Sequence, residues 1–559
     1  MLHTSGYLVF LFYFIVVSVY GIWIYRRKRN ANPGTKDYFL AEGSLTWWAI
    51  GASLIASNIS AEQFIGMSGS GFQIGLAISS YEWMSAATLL VVAIFFIPVY
   101  IKNKIYTMPQ FLQQRYNGTV AMIMAIFWLM LYIIVNLLSI LYLGALAVSG
   151  ISGLPIGLCI SLLAIFAIII TLGGMKVIGY TDVVQVFFLI VGGLAATYFG
   201  LKLIAAQSGE TGIVKGFSLL WEQAPEHFHM ILKPDNPNYL DLPGISVLIG
   251  GMWIANLNYW GCNQYITQRA LGASVPTARK GLLFAAFLKL LMPMIVVLPG
   301  IAAFVLYQKG MFQQEMLNSQ GIADVNKAYP SLLSLLPEGL KGLSFAALTA
   351  AIVASLAGKA NSIATIFTLD IYKKAIRKNA DERHLVRTGK ITIIVSMAIA
   401  VLLAFALGEK LMGEGKQGFQ YIQEYTGFVS PGIFAMFLLG FFWKKTTSAA
   451  ALFATIGGFV FSVFFKFLPY FLDLSFLAPF GFAAKNKDGI YEIPFLDRMT
   501  FVFIICILGM YLISKFTYQK NTITEFENSG NASYKVSSSF AIGALIVVAV
   551  LTILYTVFW

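Results

Sequence analysis

Ser53-Leu-Ile-Ala-Ser-Asn-Ile-Ser-Ala-Glu-Gln-Phe-Ile-Gly66 decides the fold. The stretch lies in an apolar segment long enough to cross a bilayer, yet it carries Asn58, Ser60, Glu62 and Gln63. Hydrocarbon offers such groups no partner, so polar side chains and unwound backbone at membrane depth belong where protein or a wet cavity surrounds them. This stretch therefore faces inward and is the first candidate for holding a solute or an ion.

Outward from it, the 559-residue chain is 58% hydrophobic and 11% charged, a composition that excludes a soluble protein and points to an all-α polytopic membrane protein. Spans read at about 6–25, 47–70, 72–101, 120–149, 154–173, 179–204, 243–263, 280–307, 342–372, 388–408, 419–442, 447–469, 499–514 and 539–558, giving about fourteen transmembrane helices. The first ends in Arg26-Arg-Lys-Arg29 without a small-residue cleavage pattern, which reads as a retained span. With the N-terminus outside, 24 Lys and Arg fall on the inner side and 12 on the outer, with Lys289 and Lys359 inside spans. The net charge of +13 is thus a topological signal and not a nucleic-acid surface. Both termini are expected outside a cell (inner) membrane, on the periplasmic face. The sequons at Asn117 and Asn531 then fall inside, and the Asn/Ser/Thr-rich stretch 516–538 is cytoplasmic and flexible.

Cys159, Cys262 and Cys506 sit far apart in apolar segments and read as packing residues, while His3, His227, His229 and His384 all lie outside the spans. No nucleophile–base pair or metal cluster is visible, so no enzyme and no cofactor is expected. The second to eleventh spans divide into two sets of five. Each carries buried polar groups, Asn58 to Gln63 in the first and Asn256, Asn258, Asn263 and Gln264 in the second. An odd number per set makes the second enter from the opposite face, an inverted repeat. The expected organisation is an extra helix and basic loop at 1–46, repeats at 47–206 and 243–442 around an external loop at 207–242, and three peripheral helices at 443–559.

Glu82 and Ser85 share a helical face, and Asn256, Tyr259, Trp260, Lys289 and Gln423 stand in other spans. A buried Glu and Lys with several amides suit a neutral polyol. Carboxylate and amide oxygens accept from hydroxyls, amide and ammonium N–H donate, and aromatic faces cover the C–H side of a sugar ring. A structural Glu82–Lys289 ion pair is the competing account.

The runs Ser53 to Gly71, Tyr81-Glu-Trp-Met-Ser85, Asn256-Leu-Asn-Tyr-Trp260, Asn263 to Arg269, Phe284 to Leu290 and Phe419 to Gly432 closely resemble the sodium/solute symporter family, in its sodium/glucose cotransporter branch. The resemblance covers nearly the whole chain. It implies a ten-helix inverted-repeat core of leucine-transporter type with a discontinuous first core helix. It implies a hexose site at Gln63, Glu82, Ser85, Asn256, Lys289 and Gln423, and an inner gate in which Tyr259, held by Asn58 with Trp260 beside it, stacks on the sugar. Met67, Tyr81 and Phe419 match an outer gate. The family's sodium site would fall on backbone oxygens of Ala56 and Ile59 and on Ala351, Ala354 and Ser355.

Two departures surround that ion site. Ala354 stands where the family has a hydroxyl, with Lys359 one turn after Ser355, and Gly173-Gly-Met-Lys-Val-Ile-Gly-Tyr-Thr-Asp182 alters a family pattern at Met175, Lys176, Gly179 and Tyr180. Lys359 could approach Ser355 and pair with Asp182, bringing in tethered form the charge of sodium. The expected partners are a sugar, sodium and the lipid bilayer. Sodium-coupled hexose import is the primary expectation; proton-coupled or uncoupled transport, or a sugar sensor on the same fold, stays open.

Overall fold

The computed structural model describes residues 4–28, 34–40, 45–60, 62–317, 321–412, 418–518 and 534–559. Asn531 and most of the stretch 516–538 lie outside them. Helix dominates throughout, and strand is confined, among the described residues, to a hairpin pairing Ala484–Lys485 with Tyr491–Glu492. Nine described helices are long and apolar enough to cross a membrane, and three shorter apolar ones, Ile15–Ile24, Ile156–Leu172 and Ser430–Phe442, join them. The segments expected at 47–70 and 243–263 are interrupted.

The interruption of the first of these has a local cause. Helix Trp47–Asn58 stops, Ile59 adopts φ −81 and ψ 115, and the chain resumes as a π-helical turn, Glu62–Met67, followed by Ser68–Gln73. Ser60 and Gln63 form a reciprocal N-cap. The Ser60 hydroxyl accepts from the Glu62 backbone N–H at 3.2 Å, and Gln63 Oε1 accepts from the Ser60 backbone N–H at 3.0 Å. Two donors that a new helix start would leave orphaned are thereby satisfied without water.

The chain forms two compact units. Unit 1 takes residues 1–78, 128–228 and 291–421. Its axis is helix Glu338–Thr365, against which Thr4–Lys28 and Met175–Gln207 pack. Small residues permit the approach: a Cβ on Gly192 would lie 2.8 Å from that of Ala347. Outside the spans, His227 is bonded through Nε2 to the Phe72 carbonyl at 3.0 Å, and its ring stacks on Phe304. The turn at Gly75 (φ +89) allows this approach, since a Cβ there would come within 2.5 Å of the His227 backbone.

Unit 2 takes residues 79–127, 229–290 and 422–559. Helix Gly251–Gly261 packs on Ser80–Val91, Ser430–Phe442 and Phe495–Thr517. At one end Phe96, Tyr100, Phe111 and Phe441 form an aromatic cluster. Beside it the buried Arg115 guanidinium donates to the carbonyls of Gly440, Trp443 and Thr446, ending helix Ser430–Phe442 with a fixed cation at its negative pole.

Candidate functional site

Unit 2 assembles five of the residues expected around a solute. Lys289 Nζ lies 2.5 Å from Glu82 Oε2, with the lysine side chain wholly buried, and the ammonium stands 5.2 Å from the Trp260 ring centroid. Trp260 Nε1 donates to Ser85 Oγ at 2.9 Å, and Ser85 Oγ donates to Asn256 Oδ1 at 2.6 Å. Residues 82 and 85 are one turn apart on one helix face, as are 256 and 260, so two crossing helices suffice to place four groups. The ion pair considered from sequence is formed, within a wider network that holds a carboxylate, an ammonium, an amide and an indole in fixed orientation.

The other expected residues are distributed. Tyr259 is half-buried, stands edge-on to Trp260 and accepts a hydrogen bond from the Tyr265 hydroxyl. Gln423 is half-buried on helix Gly418–Gly427, and the adjacent Glu424 is gripped by Lys466 at 2.8 Å and by Arg498. Outside the spans, burial and then the charge of Glu424 push the Asp241 carboxyl up to about 6, while burial holds the His227 imidazole of unit 1 below its usual value.

Unit 1 holds Gln63, Asn58, Met67 and Phe419, all buried. Gln63 Oε1 is engaged by Ser60, and this cap orients its amide. Gly66 brings its helix onto Phe419 so closely that an added Cβ would lie 2.8 Å from that ring's Cβ. The residues expected around an ion cluster at the helix break. Ser355 Oγ donates to the Ser57 carbonyl at 3.1 Å, Ala351 and Ala354 are buried beside it on helix Glu338–Thr365, and Asp182 accepts the Ser53 hydroxyl at 2.5 Å. Lys359 is buried, and Glu62 is buried and accepts from Ser139 Oγ at 2.7 Å.

Residues 38–458 match the family described as "Sodium:solute symporter family". The chain belongs to the sodium:solute symporter family. This family member is 47% identical over 563 residues to the sodium/glucose cotransporter of Vibrio parahaemolyticus, covering 99% of its own chain and 98% of that relative. It is 34% identical to the human sodium/myo-inositol cotransporter 2, over 80% of its own length and 68% of the relative's. Its fold is that of a solved Na+-coupled sialic acid symporter in a substrate-bound outward-open state, with a TM-score of 0.75 at 22% identity over 93% of this chain and all of that one.

Sequence reasoning named Ser60 and Glu62 only as part of the opening stretch and gave Ser57 and Ser139 no role. One signal was available: Ser60-Ala-Glu-Gln63 is the Ser-x-x-Gln pattern of a capping box. The grip on Glu424 joins segments more than 40 residues apart in sequence, and no local pattern announces it.

Proposed function

We propose that this protein imports a hexose of the galactose or glucose type by sodium-coupled symport. The observation that carries the reading is the buried Glu82–Lys289–Ser85–Asn256–Trp260 network. These groups are paired with one another yet keep further lone pairs and N–H donors, which the hydroxyls of a polar solute can take up. Glu82 accepts from sugar hydroxyls, Lys289 and Asn256 donate, and Gln63 and Gln423 add amides. Tyr259, with Asn58 and Trp260, serves as the inner gate, and Met67, Tyr81 and Phe419 as the outer gate. The 47% identity to a sodium/glucose cotransporter supports this substrate class.

Sodium fits the oxygens at the helix break: carbonyls of Ala56 and Ile59, the Ser355 hydroxyl, and the last turn of a helix whose dipole is negative there. One charge moved down about 100 mV contributes about 2.3 kcal/mol, enough to concentrate a neutral sugar roughly fifty-fold. The chain is read as fourteen crossings in a plasma or inner membrane, with both termini outside and five-helix repeats at 47–206 and 243–442. Proteoliposome uptake of labelled galactose and glucose tests the reading, with sodium or potassium outside. Sodium-driven accumulation of a hexose is expected, and equal uptake in both salts refutes sodium coupling. Ala354 and Lys359 favour one second reading, sodium-independent sugar movement or sensing on the same fold. Counterflow without accumulation, or binding without flux, would establish it.

A further inference from the structure

Lys359 is buried in unit 1 on helix Glu338–Thr365, one turn beyond Ser355. Ser355 bonds the Ser57 carbonyl where helix Trp47–Asn58 runs out. A helix ending inside protein leaves its last carbonyls without their i+4 donors. The hydroxyl of Ser57 is also fully buried and has no hydrogen-bond partner among the described residues. Oxygens gathered in this way call for a small hard cation. An ammonium four residues from Ser355 opposes that cation.

We propose that Lys359 is the residue that sets how tightly this transporter holds sodium: its buried ammonium, one turn from Ser355, repels the ion at the helix break. The inference rests on the sodium-coupled reading. Residues four apart on a helix stand about 5–6 Å apart at Cβ. A like charge about 10 Å away, within reach of a lysine stem from that spacing, lowers affinity about tenfold at an effective dielectric constant of about 20. Sodium binding is therefore weak in the native protein, and one substitution strengthens it. The site's own hydroxyls and carbonyls are not altered by that change.

Sodium titration calorimetry on the purified full chain tests this, with gel filtration reporting the fold. Lys359→Met is expected to tighten sodium binding by at least about tenfold. Lys359→Arg keeps the cation and is expected to leave sodium affinity near that of the native protein. Lys359→Gln, which removes the charge but keeps a polar side chain, is expected to tighten sodium likewise, and this variant keeps the proposal open to refutation if Lys359→Met fails to fold. Equal sodium affinity in the native and variant proteins overturns the inference and leaves sodium coupling standing. A Lys359→Arg variant as tight as Lys359→Met overturns it too, because charge would then not be the cause. Absence of sodium binding from every form, with uptake indifferent to sodium, overturns the inference and the coupled reading together.

Discussion

The polar interior of unit 2 and the helix break of unit 1 treat buried charge in opposite ways. In unit 2 the charges belong to side chains that find one another, Glu82 with Lys289 and Ser85 with Asn256 and Trp260. At the break the backbone itself becomes polar, Ser57 keeps a hydroxyl without a partner among the described residues, and a lysine stands one turn from Ser355. A closed side-chain network has a fixed shape, which suits recognition of a solute with many hydroxyls. An interrupted helix offers oxygens with no fixed counter-charge, so one nearby side chain can retune what it holds.

The largest expected effect would break the unit 2 side of this contrast. Lys289→Met leaves the Glu82 carboxylate buried without its cation, a loss of about 3–5 kcal/mol. Thermal unfolding should drop sharply and sugar binding should disappear. Glu82→Gln with Lys289→Met should recover most of the stability but not the binding. A native-like melting temperature for Lys289→Met alone would remove the pair from the account. Ser85→Ala is next: it strips the Trp260 N–H of its acceptor at about 1–3 kcal/mol, and sugar affinity measured by equilibrium binding should fall about tenfold.

Ser57→Ala sharpens the unit 1 side. A hydroxyl without a partner contributes little to folding, so stability should change by less than about 0.5 kcal/mol while sodium affinity falls several-fold. A destabilisation above about 1 kcal/mol would mean that the hydroxyl has a protein partner after all.

The smallest effects are local and of opposite sign. Burial lowers the folded pKa of His227, so its latch on Phe72 is fully stable above the ordinary histidine pKa of about 6.5 and weakens as pH falls through the depressed value. Asp241, raised to about 6, stabilises its loop most below the ordinary carboxylate range, and that contribution is lost as pH rises through about 6. Hydrogen exchange between pH 5 and pH 8, compared at matched intrinsic rates, should show protection rising with pH around 225–228 and falling around 239–242. Parallel trends in the two loops would contradict these assignments.

Much of this was legible in the sequence because the bilayer imposes a strict rule: apolar runs mark helices, and polar groups inside them mark function. Asn58 to Gln63, Glu82 and Lys289 stood out for that reason, and the structure places Glu82 and Lys289 in contact. The position of the helix break was written in Ser60 and Gln63 as a capping pattern that hydropathy alone passes over. The bond from Ser139 to Glu62 was not legible, since it depends on how two helical segments 77 residues apart in sequence are rotated. The same holds for the grip of Lys466 and Arg498 on Glu424.

Arg115 has a consequence for biosynthesis. Its acceptor at Gly440 lies 325 residues further along the chain. At ribosomal speeds of about 5–20 residues per second, the guanidinium waits roughly 16–65 s for the helix end it will cap. Until Ser430–Phe442 arrives the guanidinium has none of these carbonyls to bond, so this end of the fold closes only after most of the chain has been made.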